Sequence, residues 1–348
     1  MRGSFAHRAV GVVILMGVWN ATVARASGRQ AACGALALVA VVGGGTYAGL
    51  GLLGDGGAQA SAPAAESMGV AEFADRLKLP WPGEGQTSVA VEGLGSLGSR
   101  GGSRPVPIAS VAKVMTAYVI LREHPLKDGE QGPRIDVDAA AARESQSLSE
   151  STAPLPEGGS FTERQMLELL LLPSGNNVAR LLARWDSGSQ QAFTGKMNRA
   201  ARDLGMTRTT YTGASGFEES TRSTADDQLK LARAAMKQPV LRAVVRLPET
   251  AVPGIPGKIA NTNRLLERPG VVGLKTGSTT PAGGNLVWAA EVVAGGERRL
   301  VLGVTLAQRV NTTPTEGLAA ALDRSGALID ALRRELPGAV GSGKGARP

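Results

Sequence analysis

Three short clusters in the sequence have residue types and spacings that could do chemistry. In Ser110-Val111-Ala112-Lys113 a hydroxyl and an amine stand three residues apart at the start of a long apolar run. On a helix they share a face, so the Lys113 amine reaches the Ser110 hydroxyl. A helix start adds unpaired N–H groups and the positive end of a dipole, which suits a developing oxyanion. A lysine forced into an apolar, cation-lined cleft loses its proton readily and can then act as a base. Ser174-Gly175-Asn176 follows Pro173 at a break between two predicted helices. There a hydroxyl can relay protons and an amide can grip a carbonyl. Lys275-Thr276-Gly277 lies in a strand-like segment. Its cation and hydroxyl can hold an anionic substrate terminus, while Gly277 leaves space for a chain to lie against the strand. Each cluster alone also fits a bland role: a chance serine and lysine on one helix, an ordinary N-cap, an exposed strand end. The three together, in this order, are far more specific.

The rest of the composition narrows the chemistry. The chain has 348 residues, 43% of them hydrophobic and 20% charged, enough to bury a core. Its one cysteine, Cys33, allows no internal disulfide and no cysteine zinc cluster. With only His7 and His124, a histidine-rich metal site is excluded, and a Ser-His-Asp triad would depend on His124 alone. The clusters above answer this scarcity, because they supply a serine nucleophile with a lysine base. The net charge of +8 is spread along the chain and aromatic residues make up 3%. Nucleic-acid binding is therefore disfavoured.

The elements that must position these clusters are legible in outline. Residues 87–94 alternate like a strand, and GSLGSRGGS (95–103) reads as a loop. Ala109 to His124 is a buried-helix pattern ending at Pro125. Thr162 with Gln165 forms a capping box opening a helix through Leu172. Asn176 to Trp185 and Gln190 to Leu204 read as further helices. Strands follow at Gly273–Thr279, Asn285–Val293 and Arg299–Leu306, then a last amphipathic helix from Glu316 to Leu336. Strands at both ends of a helical middle predict one α+β domain with a helical insert.

Ahead of this domain, 24 residues from Ala31 to Gly54 carry no charge, with Arg25 and Arg29 before them and Asp55 after. That run is long enough to span a bilayer with the C-terminal bulk outward. The expected organisation is an N-terminal, cytoplasmic segment 1–30 and a membrane anchor or signal at 31–54. A flexible linker over 55–80, a catalytic domain over 81–336 and a disordered tail over 337–348 complete it. The location expected is the cell membrane, single-pass, with the domain outside, or secretion if a signal peptidase cuts after Ala58-Gln59-Ala60.

The text around the motifs carries a resemblance. PIASVAKVMTAYVIL, LLLPSGNNVARLLA, NTNRLL and GVVGLKTGSTTPAGGNLVWAA closely resemble the low-molecular-weight serine D-alanyl-D-alanine carboxypeptidases, which are penicillin-binding proteins. The likeness runs from about Pro105 to Leu306. It implies the fold shared with β-lactamases, in which an antiparallel sheet with flanking helices packs beside an all-helical lobe, with a cleft between them. It also implies roles: Ser110 as acylated nucleophile, Lys113 as general base, and Ser174 in proton relay. Asn176 would line the cleft wall, Lys275 and Thr276 would hold the substrate's terminal carboxylate beside Gly277, and the N–H groups of Ser110 and Ser278 would form the oxyanion hole. The reaction implied removes the terminal D-alanine of a peptidoglycan stem peptide, with β-lactams as covalent inhibitors. No metal or organic cofactor is implied.

Asn177 departs from the pattern, since an aspartate is frequent there. A β-lactamase would share all three motifs, but no glutamate occurs between Glu168 and Glu218 to deacylate it. An inactive wall-binding scaffold is a further alternative, opposed by the intact set of reactive side chains.

Overall fold

The computed structural model describes Ala74 and residues 77–341, all within one compact unit. The 31–54 run, His7 and Cys33 lie outside the described residues. Among the described residues no helix is long and apolar enough to cross a membrane.

A five-stranded antiparallel sheet is assembled from the two ends of the domain. Strands β1 (Gln86–Val91) and β2 (Gly95–Arg100) come from the N-terminal side. Strands β3 (Val271–Thr279), β4 (Gly283–Ala294) and β5 (Glu297–Gln308) come from the C-terminal side. Their order is β2-β1-β5-β4-β3, which leaves β3 at one edge. The register pairs Val89 with Gly303 and Lys275 with Val287. Between the two sets of strands come α1 (Lys113–Glu123), α2 (Ala139–Glu144), α3 (Glu163–Leu171) and α4 (Asn176–Ser187). They are followed by α5 (Gln190–Asp203), α6 (Ala225–Ala235) and α7 (Pro239–Val245), and the chain closes with α8 (Pro314–Gly341).

Both faces of the sheet are covered, so its central strands are apolar on both sides. On one face Val89, Val91, Trp288 and Val301 pack with Leu328, Ile329 and Leu332 of α8. On the other, Ala90, Leu302, Val304 and Leu306 share a core with the helical lobe, including Met115, Ile120, Met166 and Leu170. Gly303 makes room for the largest of these side chains: a Cβ there would lie 2.0 Å from the Trp288 ring.

The α+β reading, the helical middle and the capping box on α3 agree with the structure, where Thr162 and Gln165 cap each other reciprocally. Three expectations are corrected. The glycine-serine stretch expected to be a loop contains β2, which pairs with β1, buries Leu97 and exchanges a hydroxyl hydrogen bond between Ser88 and Ser99. Backbone pairing outweighs its poor strand composition, and its glycines adopt the positive φ values the irregular edge needs. Leu77 and Leu79, expected in the flexible linker, are buried against the α8 face of the sheet. The tail expected to be disordered from residue 337 continues α8 to Gly341, with buried Leu336 anchoring the turn that contains Pro337.

Candidate active site

The turn that carries Ser110 is held by the edge strand. A single 3₁₀ turn, Ala109–Ala112, precedes α1 and carries Ser110. Its first residue, Ala109, sits at φ +47°, a conformation non-glycine residues adopt at a cost and mostly at functional sites. Strand β3 closes directly on this turn. A Cβ on Gly277 would lie 2.8 Å from the Val111 nitrogen and 2.9 Å from the Ser110 nitrogen, so only glycine permits the approach. A cleft of about 540 Å³ opens here, lined by Ser110, Glu150, Asn176, Phe217, Ser278 and Thr279 among others.

Lys113 begins α1 and is wholly buried. Its Nζ lies 2.8 Å from Ser110 Oγ, 2.5 Å from Asn176 Oδ1 and 2.8 Å from the Ser215 carbonyl. As an ammonium it donates to all three. As a neutral amine it keeps two N–H donors for Asn176 and Ser215, and its lone pair faces the Ser110 hydroxyl, which then donates. Burial drives its pKa well below the ordinary lysine value, helped by the positive charges of Lys275 and Arg180 and opposed by Glu150 and Glu218. Each of these downward effects favours the neutral, proton-accepting form relative to an ordinary lysine.

Lys275 on β3 is 1% exposed and lies close enough to Lys113 to repel it. Its one hydrogen bond among the described residues is a long one, 3.4 Å to Thr276 Oγ1, and burial brings its pKa down to about 7. The Thr276 hydroxyl is shared with Thr262 at 2.6 Å. A buried cation so poorly partnered is suited to receive an anion.

Of the residues expected from the sequence, Ser110, Lys113 and Asn176 are joined by hydrogen bonds, and Ser278 lines the same cleft. Ser174 touches none of them through a hydrogen bond. It sits at φ +68°, is 4% exposed, and its hydroxyl is buried without a partner among the described residues. His124 is engaged elsewhere, its Nε2–H donating to Asp186 Oδ1 at 3.0 Å and its ring lying tilted against Trp185. No cluster of residues that could hold a metal occurs among the described residues.

Asn177 is explained by its surroundings. Its Oδ1 accepts from Ala153 N, and its Nδ2 faces the Ala141 carbonyl, the Ser145 hydroxyl and the Ala153 carbonyl at 2.8–3.3 Å. The site needs a donor on that side, which aspartate lacks.

Sequence reasoning missed Ser215, Glu150 and Arg180. Arg180 carried a signal, because it stands four residues after Asn176 on α4 and so shares its face. The Ser215 carbonyl and Glu150 arrive from loops with no periodicity to read.

A sheet edge closing on a serine hydrogen-bonded to a wholly buried lysine fits the penicillin-recognising class of serine proteins. The sequence profile of the D-alanyl-D-alanine carboxypeptidases matches residues 97–308, and the chain belongs to that family. It is 38% identical over 202 residues to a D-alanyl-D-alanine carboxypeptidase of Mycobacterium tuberculosis, covering 56% of this chain and 65% of that protein. With a Streptomyces D-alanyl-D-alanine carboxypeptidase the identity is 35% over 214 residues, 57% of this chain and 71% of the other. The crystal structure of a Streptomyces DD-transpeptidase superposes with a TM-score of 0.61 at 27% identity, over 70% of this chain and 95% of that one. A penicillin-binding protein homolog from Mycobacterium tuberculosis superposes with a TM-score of 0.61 at 32% identity, over 73% and 92%.

Proposed function

We propose that the protein is a serine D-alanyl-D-alanine carboxypeptidase that releases the terminal D-alanine of peptidoglycan stem peptides and is acylated by β-lactams. The observation that carries this reading is the wholly buried Lys113 amine, 2.8 Å from Ser110 Oγ with its other two directions taken by Asn176 and Ser215.

The chemistry follows from that arrangement. Lys275 and Thr276 receive the substrate's terminal carboxylate, and the charge of Lys275 is stabilised by the anion it lacked. Ser110 Oγ attacks the penultimate carbonyl carbon while its proton passes to Lys113 Nζ. The oxyanion is held by the backbone N–H groups of Ser110 and Ser278. The C–N bond breaks as the departing D-alanine amine takes that proton from Lys113 by way of Ser174, leaving Lys113 neutral again. Water then attacks the acyl carbon as Lys113 Nζ takes its proton, and that proton returns to Ser110 Oγ when the acyl–oxygen bond breaks. The 31–54 run serves as the membrane anchor that keeps the domain outside the cell.

The test is D-alanine release from a synthetic stem pentapeptide by the purified full-length chain. Release by the wild type and none by Ser110→Ala is expected. Equal release by both would overturn the assignment.

A further inference from the structure

A line of polar contacts leads from Lys113 to a pair of residues that lie outside all three motifs. Asn176 presents Oδ1 to Lys113 Nζ, and its Nδ2 donates to Glu150 Oε2 at 2.7 Å. Arg180 grips the Glu150 carboxylate with both guanidinium nitrogens at 2.9 and 2.6 Å, and donates to Glu144 at 3.1 Å. The pair is nearly out of solvent, with side chains 10% and 13% exposed. Two parallel bonds between guanidinium and carboxylate fix orientation as well as distance.

An asparagine amide has an acceptor end and a donor end of almost the same shape. Only its partners decide which end faces where. Glu150 is an ionised acceptor: burial works to raise its pKa, but hydrogen bonds from Arg180 and Asn176 outweigh that and hold it below the usual carboxylate value. Such a group accepts the Nδ2 donors and rejects Oδ1. It thereby commits the oxygen of Asn176 to Lys113, where the opposite orientation would set two donors against each other.

We infer that Glu150, clamped by Arg180, is a positioning residue for acylation: it locks the Asn176 amide so that the Lys113 amine is left with one free direction, toward Ser110. This rests on the reading of Ser110 and Lys113 as nucleophile and base.

The pair also leaves an electrostatic signature. The charged groups bearing on Lys113 are Lys275 and Arg180, which favour the neutral amine, and Glu150 and Glu218, which favour the ammonium. Glu150 and Arg180 therefore push the amine in opposite directions. Removing the carboxylate makes Lys113 lose its proton at lower pH, and removing the guanidinium makes it lose the proton at higher pH.

The experiment is the second-order rate of acylation by a fluorescent penicillin, measured across pH on the full-length chain. Glu150→Gln, Glu150→Ala and Arg180→Gln are compared with wild type, and a thermal melt of each reports folding. Glu150→Gln keeps an acceptor for Asn176 Nδ2, so its plateau rate stays within a few-fold of wild type while its acid limb moves to lower pH. The acid limb of Arg180→Gln moves to higher pH. Glu150→Ala, with the amide released, loses about tenfold or more at every pH, equivalent to about 1.4 kcal/mol. Acid limbs that stay fixed, or that move the same way in both charge variants, would overturn the proposal even where melting temperatures fall. Wild-type acylation that survives Ser110→Ala would instead remove the reading on which it rests.

Discussion

Lys275→Met separates what the protein needs for folding from what it needs for function. Wild-type Lys275 is buried with one long hydrogen bond among the described residues, and its pKa falls from the ordinary 10.5 to about 7. Between those values the unfolded chain binds a proton that the folded chain does not. Stability therefore rises with pH through this window, and the penalty is largest below it. At pH 7 the difference amounts to about 4 kcal/mol at 1.36 kcal/mol per unit, a ceiling for the order of magnitude. Methionine fills similar space without a charge to desolvate. The variant is therefore expected to gain on the order of 2–4 kcal/mol at pH 7, roughly 5–10 °C in melting temperature. The gain should shrink to about 1 kcal/mol or less by pH 10. Removing the cation also relieves one of the charges that depress Lys113, which adds in the same direction. Thermal and urea melts of wild type and variant at pH 7 and pH 10 measure this directly. Carboxypeptidase turnover of the same samples should fall about a hundredfold or more, because the substrate carboxylate loses a buried charged partner. A variant no more stable than wild type at pH 7, or a gain that grows with pH, would show that the buried Lys275 amine carries no such penalty.

Other substitutions test neighbouring parts of the account. Asn177→Asp sets a carboxylate against the Ala153 carbonyl now 2.8 Å from Nδ2; urea melts should show a loss of about 2–4 kcal/mol at pH 7 that lessens as pH falls toward 4 and the acid is protonated. Gly277→Ala drives a methyl to 2.8–2.9 Å from the backbone of the turn that carries Ser110. It should cost about 1–3 kcal/mol in melts and abolish penicillin labelling. Ser174→Ala removes a buried hydroxyl that has no partner among the described residues. Its melting curve should match wild type within about 1 kcal/mol while D-alanine release slows about 10- to 100-fold; a release rate equal to wild type would remove Ser174 from the proton path.

Much of this site was legible because its chemistry sits on strongly patterned elements. The apolar run after Ser110, the Thr162–Gln165 box and the strand-like segment around Lys275 each announce their own local structure, and the motifs ride on them. What escaped was set by tertiary contact. Strand β2 has a loop's composition, and only its pairing with β1 and the burial of Leu97 make it a strand. The Ser215 carbonyl reaches Lys113 across 102 residues of sequence, and Glu150 reaches Asn176 across 26. Neither has a local pattern, since a loop residue's direction is decided by what the loop packs against. The unusual backbone at Ala109 and Ser174 escaped for the same reason: nothing in an alanine or a serine advertises a positive φ.

The central claim is that Ser110 is the nucleophile that Lys113 activates. Its most direct test is the intact mass of the full-length protein after brief exposure to benzylpenicillin, followed by peptide mapping, with Ser110→Ala alongside. A persistent one-to-one adduct is expected on the peptide containing Ser110, and none in the variant. An adduct on another residue, an adduct that survives in Ser110→Ala, or wild-type protein left unmodified would contradict it.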